Sequence, residues 1–189
     1  MPDHGTSLPT LTTERLVLRP FTLADAPDVR RLAGAKDIAA TMLYMPHPYE
    51  KGLAENWIAS LADGWAEGRE LHLAITPAAT GELVGAVGLS DLNNRHRHAE
   101  LGYWVGVPYW GRGYCTEAAR RLVRFAFDDL GLHRVIAHHF TRNPASGRVL
   151  AKVGMTHEGT LRQHTLKWGV FEDREAWGIL ETDPAAKEA

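Results

Sequence analysis

The residues best suited to chemistry are two glycines one position apart, Gly111 and Gly113, in the segment PYWGRGYCTE at 108–117. An apolar, strand-like run precedes them, and a helical pattern begins at Thr116, which is the expected N-cap. Glycine lets the backbone adopt unusual dihedral angles and approach a ligand closely. A loop that turns several N–H groups inward before a helix N-terminus is suited to phosphate oxygens. The segment therefore predicts a site for a phosphorylated cofactor, with an ordinary strand-to-helix turn as the alternative.

The glycine loop differs from two better-known phosphate-binding loops. A Walker loop requires Lys followed by Ser or Thr after its last glycine, whereas Tyr114 and Cys115 stand here. The dinucleotide fingerprint requires a third glycine where this chain has Thr116. A P-loop nucleotide hydrolase is therefore not supported, and calorimetry with ATP would test its exclusion.

Size and composition exclude several classes of protein. The 189 residues are 44% hydrophobic and carry a formal net charge of −2, which fits one globular domain without a general attraction to nucleic acid. No apolar run approaches the ~18–20 residues of a membrane-spanning helix, and the polar N-terminus lacks the centre of a signal peptide. A single cysteine fits a reducing compartment. We therefore expect a cytoplasmic protein that binds neither nucleic acid nor membrane.

The histidines do not form a metal-binding pattern. His138 and His139 are adjacent in a strand-like run, so their side chains should face opposite ways. His96 and His98 share a face, but no third ligand accompanies them. No metal is therefore predicted.

Hydrophobic periodicity predicts the elements that position the loop. Their order is βαα-βββ-α-β-α-ββ, a mixed α/β fold in which about four helices flank a mostly antiparallel central sheet of about seven strands. The strands are predicted at 14–20, 71–76, 82–89, 99–107, 134–141, 156–166 and 170–180, and the helices at 22–35, 53–68, 116–130 and from Asn143 to Gly154. We expect one domain over 11–181, with loose tails at 1–10 and 183–189.

Four motifs in this chain resemble those of the GNAT superfamily of acetyl-CoA-dependent N-acetyltransferases, and of its RimJ/RimL-like branch in particular. They are AELGYWV at 99–105, the glycine loop, TRNPASGRVLAKVGM at 141–155 and HEGTLR at 157–162. A single glycine loop is weak evidence, but four collinear motifs are strong. The resemblance covers about residues 11–181.

The resemblance implies acetyl-CoA as co-substrate, with backbone amides of the glycine loop binding its pyrophosphate. The implied residues are Gly111, Arg112, Gly113, Tyr114, Cys115 and Thr116. A helix dipole alone favours such an anion by about 0.3–1 kcal/mol. The resemblance further implies that the backbone around Val105 and Val107 pairs with the pantetheine arm. Asn143 would contact the same arm, besides its predicted role as a helix cap.

Two positions depart from the family pattern. Trp110 stands where Gln or Arg is usual, and Cys115 stands where Gly or Ala is usual. A helix N-terminus can lower the pKa of a thiol and make it reactive. We interpret Cys115 instead as a small side chain that fills a small space.

Amide formation from a thioester requires a neutral amine and a proton for the departing thiolate. An α-amine, with a pKa of ~7.7–8.0, is partly neutral at cytoplasmic pH, whereas a lysine at ~10.4 is not. Glu100 is the candidate base, provided that burial raises its pKa or that water relays the proton; the alternative is a polar strand residue or a salt-bridge partner. Leu150 replaces the tyrosine acid of many relatives. The retained Asn-x-x-Ser pattern makes Ser146 the candidate acid, and an ordinary polar residue in a first helical turn is the alternative.

The acceptor site is the least defined part of the sequence. The resemblance implies that 36–49 and 164–172 flank it, with Tyr44, His47 and Trp168 as candidate lining residues. The predicted function is acetyl transfer to a primary amine by direct attack in a ternary complex. The acceptor would be a protein N-terminal α-amine or a small-molecule amine, and a homodimer is left open. The alternative is an acyl-CoA-binding regulatory module that retains the loop but has lost turnover.

Overall fold

The computed structural model of the protein describes residues 7–188, in which eight strands form a single sheet. The strands are β1 Leu11–Thr12, β2 Leu16–Arg19, β3 Leu71–Pro77, β4 Gly85–Asn93, β5 His98–Val105, β6 Arg134–Phe140, β7 Thr156–Lys167 and β8 Val170–Leu180. The helices are α1 Ala26–Ala33, α2 Lys36–Ala39, α3 Leu53–Ala66, α4 Tyr114–Asp128, α5 Pro144–Val153 and α6 Pro184–Glu188. Single 3₁₀ turns lie at Leu23–Asp25 and Val107–Tyr109.

The strand order across the sheet is β1-β2-β3-β4-β5-β6-β8-β7. Neighbouring strands are antiparallel except for β5 and β6, which are parallel and are connected through α4. The predicted mixed α/β fold with a mostly antiparallel sheet is confirmed. The additional strand is the two-residue β1, which is too short to produce a periodic pattern in the sequence.

Helices cover both faces of the sheet. One hydrophobic cluster joins Leu122 of α4 and Leu150 of α5 to the sheet, and a second joins Ile58 of α3 to the opposite face. Side chains of a strand alternate between faces. Accordingly, Leu101 of β5 belongs to the first cluster and Trp104 to the second. The two faces of β5 are therefore distinct environments, and we call them the α5 face and the α3 face.

Three local expectations are corrected. The third long helix begins at Tyr114, with Gly113 as its N-cap, so Thr116 lies inside the first turn rather than capping it. A short helix, α2, lies between residues 35 and 53, where no helix was predicted. The expected C-terminal loose tail contains α6, whose Ala186 is buried in the core. Of the expected N-terminal tail, residues 1–6 lie outside the described residues.

None of the helices described between residues 7 and 188 combines the length and the apolarity needed to cross a lipid bilayer.

Candidate active site

An opening between β5 and β6 lies at the centre of the sheet. The two strands pair only at His98, Ala99 and Glu100 of β5, opposite 134–136 of β6. No further pairs join them, although β5 stays paired with β4 and β6 stays paired with β8 to their ends. The facing backbone edges of 101–105 and 137–140 are therefore unpaired with each other. We call this opening the β5–β6 slot.

The glycine loop connects the end of β5 to α4. Gly111 and Gly113 have φ angles of 76° and 81°, a region that side chains disfavour, so glycine is required at both positions. The six consecutive amides of 111–116 donate no hydrogen bond within the part of the chain that the structure describes. Unpaired amides at the N-terminus of a 15-residue helix form an anion-binding site. The geometry suits a diphosphate.

Two residues outside the predicted site hold this loop in place. Arg15, in the turn between β1 and β2, donates to the backbone oxygen of Arg112 at 3.1 Å and to the carboxylate of Glu117 at 2.7 Å. Glu117, in the first turn of α4, also accepts a hydrogen bond from Thr13 at 2.6 Å. Burial opposes ionisation of Glu117, but the bonds from Thr13 and Arg15 outweigh it and lower its pKa. The loop is thereby attached to a distant part of the chain.

The side chains of the loop are mostly turned away from its amides. The Trp110 indole donates to the backbone oxygen of Val105 at 2.7 Å, which places the ring against the end of β5. Arg112 lies over the ring of Tyr109 and donates to the backbone oxygen of Pro108. Val107 is in the 3₁₀ turn and is partly exposed. The backbone oxygen of Val105 thus has a partner within the protein.

Cys115 is not an activated thiol. Burial raises its pKa to about 12, because the ionised form would lose its hydration. At neutral pH the side chain is therefore protonated and acts as a small apolar group packed against the core. This agrees with the interpretation of Cys115 as a space-filling residue.

The N-terminus of α5 lies beside the α5 face of the slot. Asn143 caps this helix, since its side chain accepts a hydrogen bond from the Ser146 amide. The Ser146 hydroxyl is 2.9 Å from the phenolic oxygen of Tyr103, a residue of β5. Burial raises the pKa of Tyr103 above its ordinary value, so the phenol stays protonated. Ser146 and Tyr103 form a hydroxyl pair at the edge of the slot.

The α3 face of the slot carries an ionic cluster rather than an isolated carboxylate. Glu100 contacts Nδ1 of His138 at 2.9 Å and the guanidinium of Arg174 at 3.1 Å. Burial would raise the pKa of Glu100, but the hydrogen bonds and charges of His138 and Arg174 outweigh it and lower the pKa. A base for an amine requires the opposite shift. The contacts of Glu100 fit its alternative role, that of a salt-bridge partner.

The two segments expected to flank the acceptor are in contact. The Lys167 ammonium group, at the end of β7, is buried and donates to the backbone oxygens of Met42, Leu43 and Met45. Arg142 ties Glu172 of β8 to the backbone oxygen of Ala40. These contacts form one wall beside the α3 face.

The three predicted acceptor residues differ in placement. The rings of His47 and Trp168 are 6.0 Å apart, so the structure brings these two together. Tyr44 is 92% exposed and packs against neither of them. An open cleft of about 500 Å³ lies between α1 and His47, lined in part by Arg30 and Tyr49.

Comparison with known proteins decides the family. The family model described as "Acetyltransferase (GNAT) domain" matches residues 15–156, which is most of the chain. The chain belongs to the GNAT acetyltransferases.

Whole-chain relatives agree with this assignment. The chain is 34% identical over 174 residues to the uncharacterized N-acetyltransferase YoaA of Bacillus subtilis, covering 92% of this chain and 97% of that protein. It is 28% identical to the [ribosomal protein uS5]-alanine N-acetyltransferase of Escherichia coli, covering 92% and 91%. The structure of Mycobacterium smegmatis RimJ in complex with CoA-disulfide superposes with a TM-score of 0.83 at 25% identity, covering 96% and 93%.

This GNAT protein is therefore an acetyl-CoA-dependent N-acetyltransferase of the RimJ-like kind, as the resemblance implied. Acetyl-CoA is its co-substrate.

Sequence reasoning missed several residues of this GNAT site. Tyr103 lies inside the quoted motif AELGYWV but was not singled out, although a buried tyrosine needs a polar partner. Arg15, His138 and Arg174 carry no local signal. Their importance depends on partners 102, 38 and 74 residues away.

Proposed function

We propose that this enzyme acetylates the α-amine of a peptide or protein N-terminus, and that a small-molecule amine is the second candidate acceptor. The observation that carries the proposal is the charge of the acceptor wall. Its carboxylates Glu100 and Glu172 are already paired with Arg174 and Arg142. Lys167 adds a positive charge, which contacts the backbone oxygens of residues 42, 43 and 45 and the ring of Trp168. A polyamine would need unpaired carboxylates, whereas an α-amine that is partly neutral needs none.

The E. coli relative supports an acceptor of the protein class, because its name specifies N-acetylation of an alanine of a ribosomal protein. It covers nearly the whole of both chains. We do not extend the proposal to the particular ribosomal protein, since acceptor recognition depends on the flanking segments. In this chain those segments are held together by contacts such as the hydrogen bond from Lys167 to the backbone oxygen of Met42.

We further propose direct transfer within a ternary complex. The β5–β6 slot has residues of both faces at its edges, so CoA and amine can approach from opposite sides. The buried, protonated Cys115 cannot serve as an acyl-carrying nucleophile. Ser146 is engaged with Tyr103 and is suited to donating a hydrogen bond to sulfur. No covalent acyl-enzyme is therefore needed.

The proposed cofactor contacts follow the order of the CoA molecule. The diphosphate would lie on the amides of 111–116, with Arg112 beside it. The pantetheine arm would follow the slot along the edge of β5 that is unpaired with β6, toward Val105 and Val107, and would contact the side-chain nitrogen of Asn143, which has no partner among the described residues. We also propose that 11–181 form a single domain, since all eight strands belong to one sheet. The cytoplasmic localisation and the possible homodimer stay predictions.

Acetyl transfer to a defined panel of amines tests the acceptor. Purified enzyme, acetyl-CoA and each amine are incubated, and release of the CoA thiol is measured with mass-spectrometric detection of the acetylated product. The panel contains peptides beginning with Ala, Ser and Met, the same peptides with a blocked N-terminus, free lysine and spermidine. We expect transfer to the free peptides and none to the blocked ones. Faster transfer to spermidine would replace the proposed acceptor, and CoA binding without turnover would favour the regulatory module.

A further inference from the structure

The ionic cluster on the α3 face lies where a thioester in the slot would meet its acceptor. Glu100 is in the last registered pair of β5 with β6, opposite Ile136. His138 is two residues beyond Ile136, hence on the same face of β6 and at the start of the opening. Tyr103 and Ser146 are on the α5 face. An acetyl group held between the strands would therefore have hydroxyl groups on one side and the cluster on the other.

The contacts within the cluster fix the state of the imidazole ring. An ionised carboxylate only accepts hydrogen bonds. Since Glu100 is ionised and also accepts from Arg174, Nδ1 of His138 must donate the proton in their 2.9 Å contact. Nε2 then carries the lone pair in the neutral ring. A carboxylate that fixes a histidine tautomer in this way also fixes the direction of the ring.

Nε2 of His138 has no hydrogen-bond partner among the described residues, since the ring contacts Glu100 through Nδ1. The side chain keeps 16% of its surface exposed. Nδ1 of His138 therefore carries the proton that is bonded to Glu100, and the lone pair of Nε2 is open to accept a second proton. Both partners of Glu100 contact the same oxygen, Oε1, so the carboxylate is held as the group that orients the ring.

We propose that His138 is the proton acceptor for the amine, and that Glu100 is a positioning residue that orients it. The inference rests on the proposed acetyl transfer to an amine. The amine nitrogen attacks the thioester carbonyl and forms the N–C bond, and Nε2 takes the proton that the nitrogen then carries. The C–S bond breaks, and its electron pair leaves on sulfur, which accepts a hydrogen bond from Ser146 and then a proton from water. His138 returns its proton to solvent.

Removal of the ring tests the proposal. In His138→Ala we expect kcat/KM for the best acceptor to fall about 100-fold, the lower range for a general base, with CoA affinity unchanged. Added imidazole should raise kcat/KM of this variant at least about tenfold, because the small base can occupy the vacated space. Rescue by imidazole is not expected of a purely structural residue.

A matched control and a second variant complete the experiment. His157 also contacts a glutamate, Glu175, at 2.6 Å, but it lies on the edge strand β7, so His157→Ala should retain wild-type activity and show no rescue. His138→Gln keeps a polar side chain should the alanine variant fail to fold, and we expect the same loss. Glu100→Gln should lose about tenfold and gain nothing from imidazole.

The outcomes separate the two proposals. An active wild type with His138 variants within twofold of it, or a loss that imidazole does not repair, would overturn the role of His138 alone. A wild type that releases CoA thiol with no amine of the panel would overturn the acceptor proposal, and this inference with it.

Discussion

The two ends of the active site are built from different materials. The proposed cofactor end consists of main-chain amides at the N-terminus of α4, in a loop whose Gly111 and Gly113 have positive φ angles. The proposed acceptor end consists of side chains from β5, β6, β7 and β8, held by ion pairs and by Lys167. A main-chain site tolerates changes of side chain but not of backbone geometry. By contrast, a site made of side chains is altered when those side chains are substituted. This difference explains how one family can keep its cofactor and change its acceptor.

The largest expected effect is at the cofactor end. Gly113→Glu places a carboxylate among amides meant for a diphosphate, and a Cβ here lies 3.3 Å from the Arg15 guanidinium. We expect CoA affinity, measured by calorimetry, to fall at least about 100-fold, because like charges brought together cost several kcal/mol. Gly81→Glu is the control, since Gly81 also has a positive φ but lies in open space in the β3–β4 turn. Equal losses in both variants would contradict the loop assignment.

The next effect tests whether the α5 face contributes to chemistry rather than to binding. Ser146→Ala removes a hydrogen bond of about 1 kcal/mol or somewhat more to the departing sulfur, so kcat should fall about tenfold. CoA affinity should change less than kcat. Ser60→Ala, which removes an exposed hydroxyl bonded to the Trp57 backbone oxygen, serves as control. Wild-type turnover in the Ser146 variant would show that its hydroxyl does not assist the departing sulfur.

A smaller effect is expected at the acceptor wall. Lys167→Met leaves three carbonyl groups without their donor and loosens residues 42–45. We expect KM for the peptide acceptor to rise roughly fivefold, from about 1 kcal/mol of lost positioning, while KM for acetyl-CoA stays constant. The exposed Lys51→Met should alter neither constant. An increase in KM for acetyl-CoA alone would mean that the two ends are not separate.

The smallest effect concerns the support of the glycine loop. The lowered pKa of Glu117 means that its carboxylate stabilises the folded protein above the unfolded pKa of ~4.3, and that this contribution is lost as pH falls through the lower folded pKa. Glu117→Gln should therefore cost about 1 kcal/mol or less in the free energy of unfolding at neutral pH. The difference should shrink as the pH falls below the unfolded pKa of ~4.3 and should be gone only below the folded pKa. Urea unfolding at several pH values measures it, and a difference that grows on acidification would contradict this account.

The sequence predicted the order of elements because their periodic patterns are local. The apolar face of α4, with Leu122 and Ala126 fully buried, is one example. The prediction was less accurate at boundaries and for short elements. Thr116 was expected to cap α4 because threonine is a common cap, yet Gly113 occupies that position with a φ of 81°. In α6, five residues give too short a pattern to distinguish from a tail.

The sequence by itself determined the family, because each of its four motifs is contained in one short segment, and it predicted the cofactor loop from one of those segments. Only the tertiary structure decided the character of Glu100. Its neighbours His138 and Arg174 are 38 and 74 residues away, and they reach it because β6 pairs in parallel with β5 and antiparallel with β8. Whether a carboxylate is a base or half of an ion pair depends on the charges around it. Those charges are set by the register between strands, which no local pattern specifies.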